Sequence, residues 1–111
     1  MKTVKRASQL LKGFADQTRL RIVNLLASDE LNVNELCTIM GKEQSLMSKH
    51  LAQLKLLDVV SDRKDGLKAY YYLLKVKDKE YNRLLGAVTE GFSNLKLIKD
   101  DMIKLKRLKK T

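Results

Sequence analysis

Three features of the sequence predict a mostly α chain with a β-hairpin wing and a long C-terminal helix. Two short helical segments are joined by a tight turn, a period-two stretch is split by Asp65-Gly66, and a long apolar stripe runs toward the C-terminus. In the first segment Val4, Ala7, Leu10, Leu11 and Phe14 recur at helical spacing, which reads as an amphipathic helix ending near Gly13. Asp16 is placed to cap the next helix. There Leu20, Ile22, Val23, Leu25 and Leu26 give a mostly buried face, closed by Ser28-Asp29-Glu30. Asn32 and Glu35 have the spacing of a capping box, with Val33, Leu36, Ile39 and Met40 on one face and Gly41 as the stop.

The stretch from Gln44 to Leu57 aligns Met47, Leu51, Leu54 and Leu57 on one stripe. Its opposite face holds Ser45, Ser48, Lys49, Ala52, Gln53 and Lys55. Short hydrogen-bonding and cationic side chains of this kind suit base edges in a major groove. A period-two run from Val59 to Arg63, a turn at Lys64-Asp65-Gly66 and a second run from Lys68 to Leu74 then predict a hairpin. Alternation sends Ala69, Tyr71 and Leu73 to one face and Lys68, Tyr70 and Tyr72 to the other. Packing accounts for the three tyrosines without base stacking. The tip carries Arg63, Lys64 and Lys68, placed to meet a phosphate backbone. Two helices in a tight turn followed by a basic hairpin form a winged helix-turn-helix.

Beyond Lys75, Tyr81, Leu85, Val88, Phe92, Leu95, Ile98, Met102 and Leu105 follow a nearly heptad spacing. A single helix from Asp78 to Leu108 would extend roughly 46 Å. That is too long to bury its stripe on so small a body, so a second chain is the expected cover. Gly86 and Gly91 weaken such a helix and Ser93-Asn94 could cap a new one, which places a kink or break near residue 91. The expected organisation is an N-terminal amphipathic helix supporting a dimer (1–15), a DNA-binding winged helix-turn-helix (16–76), and a C-terminal dimerisation helix with a basic tail (77–111).

Composition narrows the function. The chain has 111 residues, 44% of them hydrophobic, and a formal net charge of +10. Residues 1–15 carry +4 and residues 96–111 carry +5, whereas 16–74 balance to zero, so the excess sits at the two ends. An anionic partner is implied. Basic residues interrupt every apolar stretch, and the N-terminus lacks the apolar core of a secretion signal, so no membrane span and a cytoplasmic location are expected. Cys37 and His50 are the only residues of their types. With no paired acid and base and no phosphate-binding glycine loop, a catalytic role and a cofactor are not expected. A non-specific basic module, binding DNA or an anionic membrane through Lys104 to Lys110, is the alternative.

Four stretches carry a family resemblance: Phe14-Ala15-Asp16-Gln17-Thr18-Arg19-Leu20-Arg21-Ile22-Val23, Glu30 to Cys37, Gln44 to Leu54 with its Gln-Ser-x-x-Ser-x-His-Leu pattern, and the wing from Asp62 through Tyr71. In this order they resemble the ArsR/SmtB family of bacterial winged-helix repressors. The resemblance covers Leu11 to Leu74. It implies a homodimer that binds an inverted-repeat operator on double-stranded DNA and leaves it when an inducer binds; the sequence does not name the inducer. Gln17 stands where the family usually has proline, and Glu43 where it often has a Ser or Asp cap. Arsenic-type members carry three cysteines at the positions occupied here by Asn32, Asn34 and Cys37, and amides supply no soft anionic donors. Zinc- and nickel-type members use histidines on the C-terminal helix, where this chain has none. No metal site is therefore expected. Cys37 is read as a small buried hydrophobe, with a one-thiol redox switch as the sharper alternative. The residues expected at DNA are Gln44, Ser45, Ser48, Lys49, His50 and Gln53, with Arg63, Lys64 and Lys68 in the wing. His50, three residues after Met47, lies beside the core stripe, where it would bond backbone or a phosphate. Those expected at the dimer seam are Tyr81, Leu85, Val88, Phe92, Leu95, Ile98 and Met102.

Overall fold

A computed structural model describes residues 1–110. In chain order the elements are α1 (Val4–Phe14), α2 (Gln17–Leu26), β1 (Leu31–Asn32), α3 (Val33–Met40), α4 (Gln44–Leu56), β2 (Val60–Asp65), β3 (Lys68–Leu73), α5 (Lys79–Thr89) and α6 (Lys96–Lys109). Local chemistry sets most of the boundaries. Thr3 accepts from the Arg6 N–H at the start of α1, and Asp16 accepts from the Arg19 N–H at the start of α2. Asn32 and Glu35 form the reciprocal capping box at α3, and Gly41, at φ 65°, closes it in the left-handed conformation. Glu43 makes no side-chain cap on α4.

Helix α2 is the centre of the fold. Its Ile22, Val23 and Leu25 are fully buried among Leu10, Leu36, Met47, Leu51 and Leu54, so α1, α3 and α4 share one core with it. The hairpin pairs β2 with β3 antiparallel, from Val60 opposite Leu73 to Asp65 opposite Lys68. Its loop is therefore Gly66-Leu67, one residue later than the sequence suggested. Gly66 at φ 63° supplies the positive φ that a two-residue loop of this hand requires at its first position. The sequence pattern did not show β1, two residues long, which pairs Leu31 with Tyr71 and Asn32 with Tyr70 on the outer side of β3. It is legible only after folding, because its register comes from β3.

The C-terminal segment is two helices rather than one continuous helix, divided where the sequence places a break. It breaks between Thr89 and Lys96, close to Gly91, and α6 folds back onto α2 and α3. The Ser93 hydroxyl donates to the Glu90 carbonyl, closing the end of α5, whereas α6 begins at Leu95 without a side-chain cap. The expected Ser93-Asn94 cap is not formed. Tyr81, Val88, Ile98 and Leu105 are buried within the single chain, Leu85 and Met102 are half-buried, and Phe92 and Leu95 are exposed. A continuous helix could not have buried this stripe alone; two helices at an angle can.

Polar contacts fasten this return. The Arg21 guanidinium donates two bonds, at 2.8 and 2.9 Å, to the Asp101 carboxylate, with both groups buried between α2 and α6. Asp101 holds the guanidinium charged, and the side-chain bond outweighs the desolvation that acts against it. Asn24 donates to the Val88 carbonyl, and Lys109 pairs with Glu35 at 3.0 Å.

Candidate nucleic-acid interface

The exposed face of α4 is assembled as the sequence indicates. Met47, Leu51 and Leu54 are fully buried, and this turns Gln44, Ser45, Ser48, Lys49 and Gln53 outward. Because α4 is anchored by that stripe and by α3, the outward face is held rigidly. At its far end Lys55 pairs with Asp62 of β2 at 2.5 Å, which fixes the base of the wing relative to the helix.

His50 is the exception on this face. It is half-buried, and its Nδ1 lies 3.1 Å from an Arg19 guanidinium nitrogen and 3.8 Å from Asp16. A guanidinium only donates, so Nδ1 accepts and the ring proton of a neutral imidazole sits on Nε2. Arg19 thus takes Nδ1 and joins α4 to the start of α2. The Asp16 carboxyl at the same corner is opposed by burial but held below its ordinary value by the Arg19 N–H, with the Arg19 charge adding to it.

The wing divides its three cations. Arg63 is held by Glu30 at 2.8 Å and stacks 4.9 Å above the Tyr70 ring, so much of its donor capacity is spent inside the chain. Sequence alone places Glu30 in a polar turn and in a family motif and assigns it no partner in the wing. Lys64 and Lys68 are exposed and, among the described residues, form no ion pair. Leu67 at the loop is fully exposed. Tyr71 and Leu73 pack on the core, as alternation requires.

Of the three positions that carry cysteines in arsenic-type members, Asn32 does structural work, Asn34 is exposed and Cys37 is half-buried. Asn32 is buried and its side chain caps α3. Cys37 is half-buried, and burial pushes its thiol above the ordinary value of 9.0, which lowers the thiolate fraction at neutral pH. Among the described residues no three His, Cys, Asp or Glu side chains converge as a metal site would need. No helix among them is long and apolar enough to cross a membrane. In α6 Ile98 and Leu105 belong to the core and Lys109 pairs with Glu35, while Leu97 and Ile103 are exposed.

A rigid helix with a polar and cationic outer face, set between a supporting helix and a cationic β-wing, defines a winged helix-turn-helix regulator that binds DNA. Residues 16–62 match the pattern of the bacterial regulatory proteins of the arsR family. The chain is 36% identical over 84 residues to the transcriptional activator HlyU of Vibrio cholerae, an alignment covering 76% of this chain and 78% of HlyU. A structure of V. cholerae HlyU superposes with a TM-score of 0.67 at 34% identity, covering 78% of this chain and 95% of that one. Identity to the arsenical resistance operon repressor of Escherichia coli is 46% over 66 residues, 59% of this chain and 56% of the repressor, so the chain spans little more than half of that relative. A homodimeric winged helix-turn-helix DNA-binding domain from Mycobacterium bovis has the same fold, with a TM-score of 0.65 at 23% identity over 97% of this chain and 86% of that one. This chain belongs to the ArsR family of transcriptional regulators.

Proposed function

We propose that the protein is a homodimeric repressor that reads an inverted-repeat operator with two copies of α4. The observation carrying this reading is the outward face of α4, where Gln44, Ser45, Ser48, Lys49 and Gln53 lie opposite a fully buried stripe. Amide and hydroxyl groups near the N-terminal end of a helix meet base edges when that end enters a major groove. Lys64 and Lys68 serve as the phosphate contacts of the wing, and Arg63 contributes to a lesser degree because Glu30 and Tyr70 hold it. His50 supports the face from behind through Arg19. Repression follows if the site overlaps a promoter; the two named relatives, an activator and a repressor, act in opposite senses.

The dimer reading rests on apolar surface that the single chain leaves uncovered. Val4 is 87% and Leu11 56% exposed on one stripe of α1, with Ala7 and Ala15 beside them, and Phe92 and Leu95 are exposed in the α5–α6 connection. These positions replace Tyr81, Val88 and Ile98 as the dimer surface, because those three are already buried. Two half-sites one helical turn apart, about 34–36 Å, follow from twofold symmetry. Residues 1–15 then act as dimer support, 16–76 as the reading unit and 77–111 as the brace. Metals of the arsenic, zinc or nickel type have no place in this reading, and the inducer stays unassigned.

Selection of preferred duplexes from a randomised pool, followed by anisotropy titration of a labelled site, tests it. Gln44→Ala and Ser48→Ala should lower the preference for the selected site over random duplex by about 1 to 3 kcal/mol for each good base contact. Lys64→Ala should weaken both duplexes alike and flatten the salt dependence by about one unit per protomer, about two for the dimer. Equal loss on both duplexes for all three variants would remove α4 from the role of reader. A reporter placed behind the selected site distinguishes repression from activation.

A further inference from the structure

A second cationic feature lies behind α4, where α1, α2 and the end of α4 meet around an open cleft of about 600 Å³. Arg6, Lys12, Arg19, Gln9 and Gln53 line it, together with the backbone and side chains near Gly13 and Leu57. Two of its cations are fixed in place by neutral acceptors. Arg6 donates to the Leu57 carbonyl at 2.5 Å, and Arg19 donates through Nε to the Gly13 carbonyl at 2.5 Å. Carbonyls hold the guanidinium groups without cancelling their charge. Among the described residues no carboxylate lines the cleft; Asp16 beside it accepts the Arg19 backbone N–H and offsets part of the Arg19 charge, so Arg6 and Lys12 carry most of the positive potential. Lys12 makes no ion pair among the described residues and is exposed at the mouth. The cleft is thus a preformed cationic seat whose remaining donors, on Lys12, Gln9 and Gln53, are free to turn toward an anion.

Its position identifies the occupant. Gln53 belongs both to the cleft and to the outward face of α4, so the cleft continues the surface that meets DNA in the function proposed above. The four basic and no acidic residues of the first fifteen, which the α4 and wing contacts leave unused, include two of the three cations here. We propose that this cleft seats a backbone phosphate of the bound duplex, adding a sequence-independent clamp from α1 and α2 to the contacts of α4 and the wing. The inference rests on the DNA reading, but its signature is separate: it contributes affinity and salt dependence without base preference.

The test compares the full chain with Lys12→Gln, Gln9→Glu and, as a control carrying the same charge change at an exposed site on α5, Lys79→Gln. Thermal unfolding and sedimentation first establish that the variants are folded and keep the native oligomeric state, because Lys12 also borders the α1 stripe of the proposed dimer. Anisotropy titrations on the selected duplex and on random duplex are then run from 50 to 300 mM salt. One phosphate contact accounts for about 0.9 of the slope of log K against log salt. Extrapolated from 1 M to 0.1 M, that is about eightfold in affinity. Lys12→Gln removes one contact from each protomer of the dimer, so it should lose about sixtyfold on both duplexes and flatten both slopes by about 1.8. Gln9→Glu, which places a carboxylate in the cleft, should lose at least as much, and Lys79→Gln should change neither slope measurably.

Unchanged slopes in Lys12→Gln, or an equal change in Lys79→Gln, would overturn the clamp. A third arm titrates inorganic phosphate against chloride at constant ionic strength. Phosphate-specific stabilisation of the native chain that Lys12→Gln abolishes, with the DNA slopes unaltered, would assign the cleft to a small free anion and also overturn it. Absence of any sequence preference in the native chain would refute the operator reading alone, since the slopes on random duplex still decide the cleft.

Discussion

Removing the Asp101 carboxylate should destabilise the protein more than any single change on its surface. Asp101 is 1% exposed and Arg21 9%, and the two bonds between them have the parallel geometry of a bidentate pair. Asp101→Ala leaves a guanidinium buried between α2 and α6 without a counter-charge, and breaking a buried pair on one side costs about 3–5 kcal/mol. Arg21 cannot escape by losing its proton, because a guanidinium stays protonated inside a protein even when its counter-charge is gone. For a domain near 100 residues, 1 kcal/mol moves the midpoint by about 4–8 °C, so a fall of at least 12 °C is expected. Replacing both partners by apolar residues, Arg21→Met with Asp101→Leu, should recover most of the loss, since the pair itself contributes little beyond its own desolvation. Urea unfolding of the native chain, both single variants and the double variant closes the cycle, with protomer concentration held fixed because dimerisation shifts apparent stability. A cost below about 1 kcal/mol for Asp101→Ala, with coupling below about 0.5 kcal/mol, would show that water reaches the pair and would refute the buried-bridge account.

Two further outcomes follow from particular residues. Asp16→Ala should cost about 1 kcal/mol at pH 7 through loss of the α2 cap. The native carboxyl titrates below its ordinary 3.8, so its contribution is complete above that value and is lost as pH falls through the lowered folded value; the gap between native and variant in urea midpoints should close there. Leu11→Glu, on the uncovered stripe of α1, should shift the chain to a monomer in sedimentation at micromolar concentration with little change in helical content, and an intact dimer would place the interface on another face.

Much of the reading unit was legible from sequence because its signals are local. The Asn32–Glu35 capping box, the Gly41 stop, the Asp16 cap and the Met47–Leu51–Leu54 stripe each act within a few residues of chain, and each is formed as read. Those signals determined the orientation of α4 and therefore which side chains face outward. The charge count likewise placed the basic excess at the ends without reference to any fold.

What the tertiary structure decided are the relations between distant segments. An apolar spacing near 3.5 is the same whether a helix is covered by a second chain or bent back on its own, so the sequence supported a dimer seam through Tyr81, Val88 and Ile98 that the fold instead places in the core. The choice depended on the break near Gly91, which the local sequence signals, and on Arg21 finding Asp101 eighty residues away, which has no local signature. The same holds for Glu30 with Arg63, for β1 beside β3, and for the Arg6, Lys12 and Arg19 cleft. In each, residues of ordinary local character acquire a role only because α2 brings their segments together. Local propensity and periodicity therefore determined the elements and their faces, while burial and charge pairing between remote residues decided which faces remain free to meet a partner.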